Sequence, residues 1–211
     1  MTHKSKRKKQ PIFRFEQSHL KKYPWLFWVK NAYETADQAI RRLKKITKNI
    51  ACRAGCDACC QNSEVNVFAG EICVISWYAA EIMDQATQDK LIKNIKAQSE
   101  RRACPFLCDR RCAIYPVRPL NCRQYHVLNR PCAPGEDIAK DRPRDICIPA
   151  NDEDTYKAAV YMLKGSYLNF SLQQCAQVVA DGNFLAFANL LHRFNFLILI
   201  DTIEMYRQIK K

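Results

Sequence analysis

The stretch CRAGCDACC, from Cys52 to Cys60, places four cysteines within nine residues. Thiols this close can be oxidised in pairs, can form a catalytic pair, or can bind one metal ion or cluster together. Cys52 and Cys56 share a face if the segment is helical, and Cys59 follows after two residues. Cys59 and Cys60 are adjacent and point in different directions, so the two thiols can serve different metal centres.

A second group of cysteines lies in a segment that has too little apolar periodicity to pack by itself. Residues 103–150 contain seven of the nine prolines and six of the twelve cysteines of the chain. An irregular segment of this length is uncommon inside a compact domain unless something holds it together. Thiolates are suitable ligands for zinc and iron–sulfur clusters. Cysteines that bind metal could therefore hold this segment together. These six cysteines are Cys104, Cys108, Cys112, Cys122, Cys132 and Cys147.

The compartment helps to decide between disulfides and metal. No secretory signal is recognisable, because lysines interrupt the apolar residues that follow the basic start. The longest apolar stretch, residues 184–200, is too polar and slightly too short to span a bilayer. We therefore predict a cytoplasmic protein that is not transmembrane. In that reducing compartment, 12 cysteines favour metal over disulfides.

Positive charge is concentrated at the start of the chain. The formal net charge is +13, and residues 1–48 contain 14 Lys and Arg against 3 Asp and Glu. This pattern predicts a basic flexible tail over residues 1–22, followed by a single domain over residues 23–211. The tail can be merely solubilising, or it can contact nucleic acid or an anionic membrane surface. A protein partner is left open as well.

Apolar periodicity predicts a mainly helical fold. The stripe formed by Ala36, Ile40 and Leu43 indicates a helix over residues 32–50. Cys73 lies in a predicted apolar helix, where we expect it to be a buried small hydrophobe. We expect a small helical domain wrapped around an irregular, cysteine-rich segment that metal holds in place, at about residues 50–150. Further helices are predicted over 70–83, 87–99, 153–164, about 171–180 and 184–209, the last three being the C-terminal helices of region 152–209.

Three motifs together resemble the YkgJ-type cysteine-cluster proteins, a family described as chelating zinc or iron. They are CRAGCDACC, CPFL at 104–107 and CAIYPVRPLNCRQY at 112–125, so the resemblance covers about residues 50–150. The family pattern also contains one further cysteine, which is here either Cys132 or Cys147. Cys147 is preferred, because the family often places its last cysteine beside proline just before the closing helices. The resemblance implies metal ligands at Cys52, Cys56, Cys59, Cys60, Cys104, Cys112 and Cys122.

Other residues of this region depart from the family pattern or accompany it. Cys108 lies in the variable gap and is extra, whereas His126 stands where proline is common and is either a substitute ligand or an ordinary hydrogen-bonded side chain. Arg118 and Arg123 would bring positive charge beside the thiolates, which lowers a thiol pKa. The alternative for both arginines is ordinary surface ion pairing.

Three functions are compatible with these features. The favoured one is a non-enzymatic metal-binding protein, with zinc or an iron–sulfur cluster as cofactor and no defined reaction. Flagellin lysine methylases carry a similar cysteine cluster, which implies as an alternative an iron–sulfur transferase that acts with S-adenosylmethionine on a protein lysine. Against it, no cofactor-binding segment such as a glycine-rich loop is visible. A nucleic-acid-binding zinc module is supported only by the basic first 48 residues.

Overall fold

The computed structural model describes residues 14–53, 55–61, 64–97, 103–133 and 135–210. The first 13 residues of the predicted basic tail lie outside this part of the chain. The fold is mainly helical, as the apolar periodicity predicts. The α-helices are α1 (Gln17–Lys22), α2 (Leu26–Ile46), α3 (Ala58–Gln61), α4 (Ala69–Trp77), α5 (Gln85–Lys96), α6 (Leu120–Gln124), α7 (Ile138–Asp141), α8 (Glu153–Ser166), α9 (Leu172–Ala180) and α10 (Leu197–Ile209).

In the described ranges the strands are two residues long and form three separate antiparallel pairs. Strand β1 (Asn66–Val67) pairs with β6 (Asn189–Leu190), β2 (Leu107–Cys108) with β3 (Arg111–Cys112), and β4 (His126–Val127) with β5 (Ile146–Cys147). Two of these pairs lie within the cysteine-rich region. They connect segments that have no helical periodicity of their own.

Helices α2 and α8 pack along each other and form the centre of the core. The predicted helix over 32–50 is in fact a longer one that begins at Leu26, because Leu26, Val29 and Ala32 extend its buried stripe towards the N-terminus. Gly165 of α8 lies against Val29, where a side-chain Cβ would be 2.9 Å from Val29 Cγ2. The absence of a side chain at Gly165 therefore allows the two helices to approach closely.

Gly165→Ala is expected to lower the free energy of unfolding by about 1–3 kcal/mol, because the new methyl group overpacks this contact. In an open helix the same change would be favourable by roughly 1 kcal/mol. Urea unfolding followed by circular dichroism measures the difference. Lys157→Ala, on the exposed side of α8, is the matched control and should be close to neutral. A Gly165→Ala protein as stable as the wild type would contradict the close contact.

The prediction of one helix over 184–209 is wrong for its first half. Residues Phe184–Phe187 form a 3-10 turn, Asn189 and Leu190 form β6, and the helix itself begins at Leu197. Strand β6 pairs with β1, and Leu191 N donates to Val65 O at 2.8 Å. The apolar residues whose spacing suggested a helix, such as Leu191 and Phe196, are buried here by turns instead.

Helix α4 continues into a turn of π-helix, Tyr78–Ile82, and ends before α5. Asp84 caps α5, since its carboxylate accepts a hydrogen bond from Thr87 N at 2.9 Å. Polar residues were predicted to separate two helices at this point. They do so because the Asp84 cap begins the new helix α5. Five of the nine residues of α4 are buried, and one of them, Glu71, accepts a hydrogen bond from Leu120 N in the cysteine-rich region.

Candidate metal centre

Two of the motif cysteines lie in turns of the same kind. The Cys104 thiol accepts a hydrogen bond from the backbone N–H of Phe106, and the Cys112 thiol accepts one from Ile114. Each donor is two residues beyond the cysteine, so CPF and CAI fold alike. A backbone N–H that points at sulfur favours the thiolate, the form that binds metal.

A tight hairpin connects these two turns. In strands β2 and β3, Leu107 lies opposite Cys112. The two loop residues, Asp109 and Arg110, have φ of 48° and 60°, the left-handed conformation that a two-residue hairpin requires. Arg110 also pairs with the buried Asp57 at 3.1 Å, which ties the hairpin to the middle of the CRAGCDACC motif.

The short helix α3 carries Cys59 and Cys60 to the same place. Cys104 N donates to Cys60 O at 2.7 Å, so the first motif lies directly against the second. A hydrogen bond with the Cys60 thiol is the largest cause of the raised pKa of Cys59, followed by burial. The two adjacent thiols therefore contact each other, although they leave the helix in different directions.

Cys122 is positioned by a buried carboxylate. Glu71 is fully buried in α4 and accepts hydrogen bonds from Phe68 N at 3.0 Å and from Leu120 N at 2.6 Å. Leu120 is the first residue of α6, which contains Cys122. One side chain thus holds the N-termini of two helices, and it fixes α6 against the core. Burial raises the pKa of Glu71 to about 7, while the two N–H donors lower it.

Four thiols from these segments form one electrostatic group, which we call the Cys59 group. It consists of Cys59, Cys104, Cys112 and Cys122. Burial, with smaller contributions from Cys112, Cys59 and Cys108, raises the pKa of Cys104 to about 12. Burial, with smaller contributions from Cys108 and Cys59, raises the pKa of Cys112 to about 11. Cys122 is exposed, yet partial desolvation raises the pKa of its thiol, as do the other three thiols of the group.

A second set of thiols, which we call the Cys52 group, consists of Cys52, Cys56 and Cys132. Burial raises the pKa of Cys132, and Cys52 and Cys56 raise it further. Burial likewise raises the pKa of Cys52, where Cys56 and Cys59 contribute. Cys59 therefore lies between the two groups. Tyr125 lies there too, since burial, Cys132 and Cys59 are the main causes that raise its pKa.

The remaining cysteines and His126 have other surroundings. Cys147 lies in β5 opposite His126, and burial lowers the pKa of that histidine. Cys108 lies at the hairpin, where burial raises its pKa to about 11 and Lys90 lowers it. The expectation that Cys73 is buried is wrong, because α4 turns this residue towards solvent. Cys175 is the cysteine that is fully buried, in α9.

The two arginines of the third motif have different roles. Arg118 lowers the pKa of Cys112, as predicted for a cation beside the thiols, and it stacks 3.9 Å above the Tyr115 ring. Arg123 is buried and pairs with Asp37 of α2 at 3.1 Å. It also donates to Arg118 O at 3.0 Å and to Pro116 O. Arg123 therefore holds the backbone of the motif against α2.

The donors present have the chemistry of a zinc or iron–sulfur site. All twelve cysteines are free thiols. Their desolvation and mutual repulsion disfavour several thiolates side by side, and a bound cation would remove that cost. In the part of the chain that the structure describes, no three His, Cys, Asp or Glu side chains are yet arranged at coordination geometry. Binding would therefore require these thiols to move closer together.

Two residues near these thiols, Glu71 and Tyr125, were not among the predicted site residues. Glu71 reads in sequence as an isolated acid in an apolar helix, FAGEICVISW, which is itself a signal for a buried cap. Tyr125 is the aromatic residue at the end of the third motif. No local pattern indicates that Tyr125 lies near both groups, since this depends on how the segments fold together.

One of three comparisons with known proteins found a match. A family model named CxxCxxCC, with the description "putative zinc- or iron-chelating domain", matches residues 51–159. A search of the curated proteins found no match. A search of the solved structures also found none. Among the described residues, no helix has both the length and the apolar character needed to cross a membrane.

Proposed function

This chain belongs to the CxxCxxCC family of zinc- or iron-chelating domains, and on that premise we propose that its cysteine thiolates hold a zinc ion or an iron–sulfur cluster in the Cys59 group. The observation that carries the proposal is the convergence of Cys59, Cys104, Cys112 and Cys122 from three separate segments. Four sulfur ligands fill the coordination of a tetrahedral zinc ion and equally suit a cluster.

The protein atoms around the Cys59 group have defined tasks in such a site. The N–H groups of Phe106 and Ile114 stabilise the thiolates of Cys104 and Cys112. Arg118 offsets part of the negative charge at Cys112. The thiols give up their protons to solvent on binding, so affinity falls as pH is lowered. The bound metal would supply the positive charge that keeps the thiolates together.

We propose a stabilising, non-enzymatic role for this site. With four thiolates it has no open position at which a substrate or S-adenosylmethionine could bind. The finer assignments, a cytoplasmic location and contact of the basic start with nucleic acid, an anionic membrane surface or a protein, stay predictions. Free thiols are compatible with a reducing compartment.

Metal analysis of protein purified without oxygen tests the proposal. We expect bound zinc, or iron with matching sulfide, that remains after gel filtration. Alkylation followed by mass spectrometry should find Cys104, Cys112 and Cys122 protected in the metal-bound protein and reactive after a chelator is added. Cys73, exposed on α4, is the internal control and should react in both states. A folded protein without metal would contradict the proposal.

A further inference from the structure

The C-terminal half of helix α2 carries positive charge that the proposed metal site does not use. We infer that Arg41, Lys44, Lys45 and Lys48, which we call the α2 basic face, bind the sugar–phosphate backbone of a nucleic-acid duplex without sequence specificity. The inference goes beyond the proposed function, because it concerns another surface of the molecule and another class of ligand.

Three of the four cations share one side of the helix. Arg41, Lys44 and Lys45 have the spacing i, i+3 and i+4, which makes them neighbours on a helix surface, and all three are exposed. The rise of the helix separates Arg41 from Lys45 by about 6 Å along the axis. Lys48 is also exposed and follows shortly after the last residue of α2. The four cations therefore form a short, continuous basic surface.

The folded chain does not neutralise this surface itself. The neighbouring Arg42 pairs with Asp152 and with Asp154, at 2.5 Å in each case, so these two acids are already engaged. Within the part of the chain that the structure describes, none of the four cations of the α2 basic face forms an ion pair. Unpaired cations that are concentrated on one face are the electrostatic footprint of a surface that binds a polyanion.

Backbone pairing holds the chain at the end of this face. Asn49 O accepts a hydrogen bond from Asn129 N at 2.8 Å, and the Asn129 side chain donates to Asp145 at 2.7 Å. Lys48 directly precedes Asn49, and the exposed Arg144 directly precedes Asp145. The position of Lys48 is therefore fixed relative to the cysteine-rich region, which supplies a further cation through the same hydrogen-bonded segments.

The phosphate backbone of a duplex fits this surface because it is a dense and regular polyanion. Double-stranded DNA carries one negative charge per about 1.7 Å of its axis. Helix α2 packs along α8, so it is not free to enter a groove and contact the bases. The basic face can reach phosphates, and phosphate contacts carry no sequence information by themselves. The face also has no aromatic ring, whereas sites for single strands use aromatic rings on which the bases stack.

An anionic membrane surface offers negative charge as well, but it fits less well. Helices that lie on a membrane insert an apolar face between the lipids, beside their cations. The apolar side of this half of α2, with Ala36, Ala39 and Ile40, is buried in the core instead. Ile46 is exposed at the end of the helix, and one such side chain provides little apolar area for insertion.

The salt dependence of duplex binding tests the inference. Fluorescence anisotropy of a short labelled DNA duplex is measured with the full-length protein, purified without oxygen, over a series of salt concentrations. Each phosphate contact contributes about 0.9 to the slope of log K against log salt concentration. The double variant Lys44→Gln, Lys45→Gln is therefore expected to reduce the steepness of this slope by about 2. It should weaken binding to two unrelated sequences equally.

The double variant Lys93→Gln, Lys96→Gln is the matched control. Lys93 and Lys96 are exposed in the last turn of α5, as Lys44 and Lys45 are in the last turn of α2. Both double variants thus remove the same charge and the same favourable interaction with a helix C-terminus. The control should keep the slope of the wild type. Thermal unfolding followed by circular dichroism should give similar melting temperatures for the two variants.

Three results would overturn the inference. The first is a wild-type protein that does not bind the duplex, or that binds the single strand more tightly. The second is an equal slope in the wild type and in Lys44→Gln, Lys45→Gln, which would assign the binding to other residues such as the basic start of the chain. The third is an effect of Lys44→Gln, Lys45→Gln on binding to phosphatidylserine vesicles alone.

Discussion

Cys122→Ser is expected to lower the melting temperature of the metal-bound protein by roughly 6–20 °C. Structural zinc contributes about 10–16 kcal/mol of folding free energy in small zinc-finger peptides. A loss of only about 3–5 kcal/mol would produce this shift in a chain of this length. Residues 103–150 contain only two-residue strands, short helices and turns, so we expect bound metal to stabilise their arrangement. Thermal unfolding followed by circular dichroism measures the change.

Cys73→Ser is the matched control for this experiment. Cys73 is an exposed cysteine on α4, outside the three motifs, so replacing its sulfur with oxygen should change stability little. Cys175 is less suitable, because it is fully buried and a serine there would place a hydroxyl group in the core. Equal losses in Cys122→Ser and Cys73→Ser would contradict a stabilising metal at Cys122. A chelator should mimic Cys122→Ser in the wild type.

The second large effect is expected for Glu71→Ala, which should lower the free energy of unfolding by about 2–6 kcal/mol. The substitution leaves the N–H groups of Phe68 and Leu120 buried without an acceptor. Each such group costs about 1–3 kcal/mol. Because Leu120 begins α6, the loss also loosens the helix that carries Cys122. Chemical unfolding gives the free energy, and metal content should fall together with it.

Glu34→Ala and Glu71→Gln are informative controls. Glu34 forms an exposed ion pair with Lys30 on α2, and removal of such a pair changes stability by at most about 1 kcal/mol. The amide side chain introduced by Glu71→Gln retains one oxygen that can accept a backbone hydrogen bond, so this variant should lose less stability than Glu71→Ala. Glu71→Ala and Glu34→Ala proteins of equal stability would show that Glu71 does not hold the two helices.

The raised pKa of Glu71 predicts a pH dependence with a definite sign. Burial favours the protonated carboxyl in the folded chain, whose pKa is about 7 against an ordinary 4.5. The folded state therefore binds more protons than the unfolded state between these values, and its stability from this group falls as pH rises through that window. The unfolding free energy of the wild type, relative to that of Glu71→Gln, should therefore fall as the pH rises from 4.5 to about 7. A constant difference would contradict the raised pKa.

The sequence by itself determined the family of the protein and its mainly helical fold. CRAGCDACC, CPFL and CAIYPVRPLNCRQY predicted the family, and the match over residues 51–159 confirmed it. Apolar periodicity predicted a mainly helical fold, with helices near α4, α5, α8 and α9. These features are local, because a helix repeats every 3.6 residues and a motif is a fixed spacing, so each can be recognised within a short window.

Periodicity alone failed where long-range pairing competes with helix formation. The stripe of apolar residues from Phe184 onwards has helical spacing, yet Asn189 and Leu190 are extended because β1 offers them backbone partners. Cys73 has an apolar sequence neighbourhood but lies on the solvent side of α4. Both outcomes depend on which surface a neighbouring segment covers, and a local sequence pattern does not determine that.

The grouping of the cysteines was decided only by the tertiary structure. The spacing of Cys59 and Cys60 suggested two centres, but it did not tell which downstream thiols approach which of the first four. Cys104, Cys112 and Cys122 approach Cys59 because a hairpin, helix α3 and the Glu71 cap bring three segments together. The chain turns back at Asn129 before it reaches Cys132, whereas Cys147 lies opposite His126 in the pairing of β5 with β4. Metal ligands are selected by distance in space, and distance in space depends on every turn of the chain between them.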